Sequence, residues 1–329
     1  MKVLVTGGAG YIGSHTVREL IGRGYDVVVF DTLERGHKQA VLESRLILGD
    51  IADGALLKDI LQRERPDAVM HFAALKAPGE SMQQPTAYFR NNVCGMLTMI
   101  DTMVRSDIRY CIFSSSCSIF GTPQSLPVTE DAGFAPESVY GETKLMGEIL
   151  LKWFDQIHGL RYSSLRYFNA AGASLDNAIG EDWSVTSNLI PLVMKAAVGE
   201  AHSVKVFGTD YPTRDGTAVR DYIYVVDLAV AHVQALEHLM LTRRSTAYNL
   251  GTGKGSTVRE VIETAKRVSQ VNFAVEFTPR RPGDPAAIWA DSSKAERELG
   301  WKAKYDLETI IRTAWTWHST HPQGFVTEF

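Results

Sequence analysis

Cysteine is scarce in this chain of 329 residues. Cys94, Cys111 and Cys117 form no C-x-x-C pair and no metal-like spacing, and their number is odd. Each sits beside apolar residues and reads as a small buried hydrophobe, a usage that suits a reducing compartment. No metal site is expected. Long apolar runs are missing too: no window approaches the roughly eighteen apolar residues of a membrane span. A secretory pattern is not seen, because Lys2-Val3-Leu4-Val5 meets glycines before an apolar region could form. Charge of one sign is lacking as well. With 34 Lys and Arg against 38 Asp and Glu the net charge is -4, so nothing in the balance asks for a nucleic acid or a membrane surface. Internal repeats and low-complexity linkers are absent. A cytoplasmic enzyme is the expectation these absences leave.

What is present is an ordinary globular composition, 45% hydrophobic and 22% charged, on a chain long enough to bury a sizeable core. Val3–Thr6 reads as a buried strand ended by glycines, Ile12–Arg23 as a helix stopped at Gly24, and Asp26–Phe30 as the next strand. Asp53–Arg65 follows as a helix with Asp53 as N-cap and Pro66 beyond its end. Ala68–Phe72 is a strand, Ser81–Arg105 a long helix, Tyr110–Phe113 a strand, Ser138–His158 a helix and Tyr162–Tyr167 a strand. Such alternation predicts a Rossmann-like, doubly wound α/β fold, a parallel sheet with helices on both faces. The strands lack in/out alternation, as burial on both faces requires. After Asn169 the rhythm loosens, so residues 1–168 are expected to form a dinucleotide-binding domain and 169–329 a smaller mixed α/β substrate-binding lobe. Two segments are expected to return to the main sheet: Val204–Phe207, and Tyr222–Met240 with Tyr248–Leu250.

The string Thr6-Gly7-Gly8-Ala9-Gly10-Tyr11-Ile12-Gly13 follows the first strand and opens the first helix. Gly7, Gly10 and Gly13 fit G-x-x-G-x-x-G, and Gly8, Gly10 and Gly13 fit G-x-G-x-x-G. Glycines there permit a tight turn and close approach of backbone to a pyrophosphate, with the helix N-terminus supplying N–H groups and a positive dipole end. An ordinary glycine turn is the plainer alternative, but strand, glycines and helix come in the required order. Asp31 ends the second strand, where an acid holds ribose hydroxyls and repels a 2′-phosphate, which favours NAD over NADP. Arg35 close by reads as a solvated loop residue.

Tyr140 and Lys144 lie four apart in the Ser138–His158 helix and so share a face. A free phenol, with a pKa near 10, is a poor base at neutral pH, and a neighbouring ammonium plus an oxidised nicotinamide would lower it. The strand before this helix ends in Ser114-Ser115-Ser116, whose hydroxyls can align a substrate alcohol or simply cap the strand.

The chain resembles the extended short-chain dehydrogenase/reductase family, in its sugar-nucleotide epimerase and dehydratase branch. The resemblance runs nearly end to end, on VTGGAGYIGSH at 5–15, GDI at 49–51, FAALKAPGES at 72–81 and FSSSCSIFG at 113–121. It continues on YGETK at 140–144, LRYFNAAGA at 165–173, DGTAVRDYIYVVDLA at 215–229, YNLGTG at 248–253 and PRRPGD at 279–284. It implies 4-epimerisation of UDP-galactose and UDP-glucose through transient oxidation at C4 by a retained NAD. Tyr140 would be the base on the sugar O4, Lys144 would bridge the nicotinamide ribose, and Ser116 would hydrogen-bond the same hydroxyl. Gly7, Gly10, Tyr11, Ile12, Gly13, Asp31, Asp50, Ile51, Phe72, Ala73, Lys76, Asn91, Ser114 and Tyr167 would complete the NAD site with that pair. Lys76, Asn169, Asn188, Leu189, Val206, Phe207, Arg220, Arg281, Asp284 and Ile288 would meet the UDP-sugar beside Ser116 and Tyr140. Arg220 and Arg281 alone would read as surface salt-bridging residues; a diphosphate gives both a partner. The helices at 81–105 and 138–158 resemble the dimer helices of the family, which implies a homodimer.

Other readings stand beside this one. A sugar-nucleotide 4,6-dehydratase or decarboxylase would carry an Asp-Glu pair, or a Glu, just after the serine edge, where this chain has Cys117 and Ser118. A 4-epimerase for N-acetylated hexoses or pentoses stays open, because Ile288, a position that sets room at the sugar C2, is smaller than tyrosine yet not small. A non-catalytic dinucleotide sensor would have lost Tyr140 or Lys144. His71, Trp153, Trp315, Trp317 and His318 read as packing residues.

Overall fold

The computed structural model describes residues 1–184, 186, 188–281 and 284–325. Its frame is a seven-stranded sheet, parallel throughout, built from β1 (Lys2–Thr6), β2 (Asp26–Asp31), β3 (Arg45–Leu48), β4 (Ala68–His71), β5 (Tyr110–Ser114) and β6 (Arg161–Tyr167), with one late strand. The crossovers carry α1 (Tyr11–Gly22), α2 (Gly54–Glu64) and α6 (Val139–His158). Asp53 caps α2 as expected, its carboxylate accepting from the N–H groups of Ala55 and Leu56. β3 was not foreseen; it is four residues long at the sheet edge, and none of them is fully buried.

The long helix expected over Ser81–Arg105 is broken. Pro78–Gln83 is α3, Pro85–Tyr88 is α4, Phe89–Gly95 is a π-helical stretch, and Met96–Arg105 is α5. Pro85 cannot donate into a continuous helix, so the chain restarts there.

After β6 come β7 (Asn169–Ala171), α7 (Leu189–Ala197), β8 (Ser203–Phe207), β9 (Val219–Arg220) and β10 (Tyr222–Tyr224). They are followed by α8 (Val225–Thr242), β11 (Thr246–Leu250), β12 (Ser256–Thr257), α9 (Val258–Ser269), β13 (Ala274–Thr278), β14 (Ala287–Ile288), α10 (Ser293–Leu299) and α11 (Leu307–Thr320). β11 returns to the main sheet, pairing parallel with β6 from Thr246↔Ser163 to Leu250↔Tyr167. The full order is β11-β6-β5-β4-β1-β2-β3. Val204–Phe207, expected in the same sheet, instead pairs with Ala274–Thr278 in a separate two-stranded sheet. Its alternating burial, with Val204 and Val206 inside and Lys205 exposed, fits a sheet with one face on a core and one toward solvent. Of the expected Tyr222–Met240 segment, Tyr222–Tyr224 pairs with Asn169–Ala171 in another two-stranded sheet, while the rest lies in α8.

α8 is long and apolar enough to span a membrane by length and composition, which the absence of long apolar runs did not anticipate. It is a core helix here. More than half of it, 56%, is buried, against α1 and against β5 and β6. One apolar cluster therefore runs from Val3, Met70 and Ile112 through Leu165 to Leu228, Leu236 and Tyr248. Each such side chain fully withdrawn from water contributes about 1.5–3 kcal/mol. A second cluster joins Val206 and Tyr224 to α7, α9 and α11.

Two expected packing residues are not buried. Trp153 on α6 is 55% exposed, and Cys94 is exposed on the π-helical stretch. Cys111 is buried and Cys117 partly so, and all three thiols are free. Trp317 and His318 are buried in α11 as expected.

Candidate active site

The glycine turn between β1 and α1 is a cradle of backbone. Gly7 takes φ +73°, and a Cβ on it would stand 2.4 Å from the Ala73 nitrogen; at Gly13 a Cβ would stand 2.2 Å from the Gly7 carbonyl. Only glycine fits either place, so the turn stays open to something that approaches its main chain closely. α1 begins at Gly10 with no side-chain cap, which leaves the amides of its first turn for an anion. A pyrophosphate suits this cradle.

Asp31 closes one side. Its carboxylate accepts from the N–H of Ala9 at 3.0 Å and of Leu33 at 2.9 Å, each oxygen keeping capacity for a further donor such as a ribose hydroxyl. Arg35 is not a free cation here: it pairs with Glu80 at 2.9 Å. Asp50 turns its carboxylate to the N–H of Ala52 at 2.9 Å, and Ile51 is buried against the π-helical stretch at Gly95. The N–H groups of Phe72 and Ala73 both donate to the Thr6 carbonyl, at 2.8 and 3.1 Å, which stitches the loop after β4 to the glycine turn.

Tyr11 and Lys76 face the C-terminal elements. The Tyr11 hydroxyl donates to the Gly172 carbonyl at 2.6 Å, Ile12 packs between the two large apolar clusters, and Lys76 reaches the Glu181 carboxylate at 3.3 Å. Burial holds the Glu181 carboxyl above its ordinary value, with Lys76 and Asn188 opposing. Asn91 donates to Asn92 at 2.9 Å, and it is Asn92 that is buried. Asn92 accepts from the N–H of Leu75 at 2.9 Å and donates to the Leu75 carbonyl and to the Thr143 hydroxyl, each at 3.0 Å. It ties the Lys76 loop to α6.

Three side chains of α6 reach the serine edge. The Tyr140 phenol lies by the Ser116 hydroxyl, which itself donates to the Ser118 hydroxyl and accepts from the Ser118 N–H, each at 3.2 Å. The Lys144 ammonium donates to the Ser114 carbonyl at 2.7 Å and lies 5.8 Å from the centre of the Tyr140 ring. Glu148, one turn further, accepts from the Ser115 hydroxyl at 2.6 Å. The Ser114 hydroxyl meets the Tyr167 phenol. Burial pushes the Tyr140 phenol up to about 12, the nearby Ser116 hydroxyl opposing, and pushes Lys144 down to about 7. Cys117, also pushed up to about 12 by burial, is a neutral thiol.

The elements after β6 bring the remaining candidates together. Arg220 donates to the Val219 and Pro285 carbonyls at 2.9 and 2.8 Å and stands 3.6 Å from Asp284. The Arg281 guanidinium lies 4.2 Å from the centre of the Phe207 ring, a stack that leaves its edge for a phosphate. Val206 is the exception: the alternation of β8 turns its side chain into the core opposite Phe207, at 2% exposed. Asn169 is engaged with the Asp221 carbonyl through its side chain at 3.1 Å. Asn188 and Leu189 open α7, and Ile288 is buried with Phe120, Val128 and Ala290. Pro282 and Gly283 of the PRRPGD string lie outside the described residues.

Sequence reasoning missed Asn92, Glu148, Arg166 and Asp221. Asp221 is wholly buried and accepts from the N–H and hydroxyl of Thr252 and the N–H of Ala290. It anchors the YNLGTG turn beside Cys117. Arg166 and Asp221 do sit inside the quoted strings LRYFNAAGA and DGTAVRDYIYVVDLA, which was the only signal they gave.

The family model described as GDP-mannose 4,6 dehydratase matches residues 4–314. A UDP-glucose 4-epimerase of Lactobacillus helveticus is 47% identical over 327 residues, covering 99% of each chain. The crystal structure of the Brucella ovis UDP-glucose 4-epimerase in complex with NAD superposes with a TM-score of 0.95 at 45% identity, over 97% of this chain and 98% of that one. The Bifidobacterium longum UDP-glucose 4-epimerase in complex with NAD+ and UDP has a TM-score of 0.92 at 40% identity, over 99% and 100%.

Proposed function

The chain belongs to the GDP-mannose 4,6 dehydratase family, and on that premise we propose that it interconverts UDP-galactose and UDP-glucose with a bound NAD. The observation that carries this reading is the placement of Tyr140 and Lys144 of α6 over the Ser114–Ser116 edge, which continues into Cys117 and Ser118. A 4,6-dehydratase needs carboxyl groups at that edge for its later proton transfers, and a neutral thiol and a hydroxyl cannot supply them. Full-length relatives named UDP-glucose 4-epimerase support the same choice.

Bound NAD supplies the hydride acceptor at C4 and the donor for the return. Tyr140 removes the proton from O4, and Ser116 holds that oxygen in line with the phenol. Lys144, buried beside the Tyr140 ring, stabilises the phenolate whenever it is protonated. The main chain of Gly7 and Gly13 with the start of α1 would hold the pyrophosphate of NAD and Asp31 its ribose hydroxyls, with Lys76 as the cation nearby. Arg220, Asp284 and the Phe207–Arg281 stack anchor the nucleotide, so the ketose alone turns before reduction inverts C4.

The test is conversion of UDP-galactose by purified protein with no NAD added, beside a Tyr140→Phe control. Conversion that collapses in the variant is expected. Failure to convert even with NAD supplied would rule the substrate assignment out.

We further infer a cytoplasmic homodimer. The three free cysteines favour a reducing compartment. Leu97 on α5 and Ile149, Trp153 and Ile157 on α6 leave large apolar side chains exposed, a face suited to a second copy.

A further inference from the structure

Tyr140, Lys144 and Glu148 stand four residues apart on α6 and form one buried stripe. Each reaches a successive part of the same strand end. Tyr140 faces Ser116, while Lys144 donates to the Ser114 carbonyl at 2.7 Å and Glu148 accepts from the Ser115 hydroxyl at 2.6 Å. The first two belong to the reaction. The third has no place in it, yet it is the most heavily bonded. Glu148 receives Arg166 in a two-pronged ion pair, Nε to Oε1 at 2.9 Å and Nη2 to Oε2 at 2.6 Å. Arg166 also donates to the Glu130 carbonyl at 3.1 Å, and its guanidinium lies 4.9 and 5.5 Å from the centres of the Phe134 and Phe120 rings.

Both ions are withdrawn from water, at 9% and 5% exposed. A buried pair is a poor source of net stability compared with apolar side chains, so its value lies in fixing geometry. What it fixes here is Ser115, which is fully buried and whose N–H is held by the Leu165 carbonyl at 2.9 Å, next to Arg166. With Ser115 clamped from both sides, Ser116 has little freedom to swing away from Tyr140.

We propose that Glu148 and Arg166 are positioning residues for catalysis, acting through the Ser115 hydroxyl to hold Ser116 against the Tyr140 phenol. This rests on the reading of Tyr140 and Ser116 as the proton-transfer pair. A displacement of about 1 Å at a reacting group costs roughly 100-fold in rate, so loosening the clamp lowers kcat and leaves substrate binding nearly intact.

The experiment compares Ser115→Ala, Ser115→Thr, Glu148→Gln and the double Ser115→Ala/Glu148→Gln in NAD-loaded protein. Ser115→Ala and Glu148→Gln are each expected to lower kcat about 10- to 100-fold, with KM and NAD content close to wild type. The double variant loses no more than the worse single one, because both cut one linkage. Ser115→Thr keeps the hydroxyl and recovers activity. A second readout needs no substrate: the phenolate absorbance of Tyr140, identified by subtraction of Tyr140→Phe, should titrate at higher pH in Ser115→Ala, since a Ser116 hydroxyl free to move away stabilises the phenolate less. Wild-type kcat and an unmoved titration in Ser115→Ala would overturn the proposal, however Glu148→Gln behaves. A wild-type protein inactive on UDP-galactose would count against the substrate assignment instead, and the titration would still decide the clamp.

Discussion

At the scale of the residue, Tyr140 in the protein without cofactor is a neutral phenol, held near 12 by burial, beside a lysine that burial has brought to about 7. A phenol so placed is an inert side chain until positive charge arrives beside it. Phenolate absorbance followed against pH, with Tyr140→Phe subtracted, should therefore show the Tyr140 step near 12 in stripped protein and at clearly lower pH after loading with oxidised NAD. An unchanged step would mean that the cofactor does not tune the base. The sequence exposed Tyr140, Lys144 and the serine edge because their spacing carries chemistry. It hid Asn92, Glu148, Arg166 and Asp221, since a polar residue is legible as buried only once its partners are known, and those lie far along the chain. Asn92 meets Leu75 and Thr143, and Asp221 meets Thr252 and Ala290.

At the scale of the element, the interrupted helix between Pro78 and Arg105 is the instructive case. Periodicity alone ran the helix straight through, and Pro85 is what stops it. The π-helical stretch that follows carries Asn92 at its buried face. Replacing Asn92 with alanine strips the Leu75 N–H and carbonyl of their partner, and a buried unsatisfied backbone group costs about 1–3 kcal/mol. Asn92→Ala is thus expected to lower unfolding free energy by about 2–4 kcal/mol, read from urea denaturation at constant m. A change within about 0.5 kcal/mol would show that water replaces the amide at no cost. β1, β2, β4, β5, β6, α1, α2 and α6 were legible because strong apolar runs and glycine or proline punctuation bound them. β3 was not, for want of buried residues at the sheet edge, while β8 was legible as a segment but not by its sheet, because its apolar alternation fits any half-covered sheet.

At the scale of the whole molecule, four buried imidazoles set how the protein meets acid. Burial pushes His15 and His232 down to about 4 and His71 and His318 down to about 3. The unfolded chain, with histidines near 6.5, then binds more protons than the folded one between those values. Stability accordingly falls as pH drops from 6.5 toward 4, by about 1.4 kcal/mol per pH unit for each proton. His232→Gln should flatten that dependence by about one proton relative to wild type, as measured by unfolding free energy at several pH values; parallel curves would refute it. The exposed apolar face of α5 and α6 leads to another outcome. Trp153→Glu with Ile157→Glu should convert a dimer to a monomer in sedimentation without loss of helix content, and wild-type protein that sediments as a monomer would dispose of the dimer. There remains the late return of β11 to β6. During synthesis the outer rim of β6 has no neighbour until Thr246 has emerged, long after the cofactor cradle is made. A nascent chain of this kind carries an open strand edge, the template on which chains join one another. Fragments ending before residue 250 should therefore clump rather than fold, and delivery of the finished enzyme in the cell depends on how well that edge is shielded while the ribosome works.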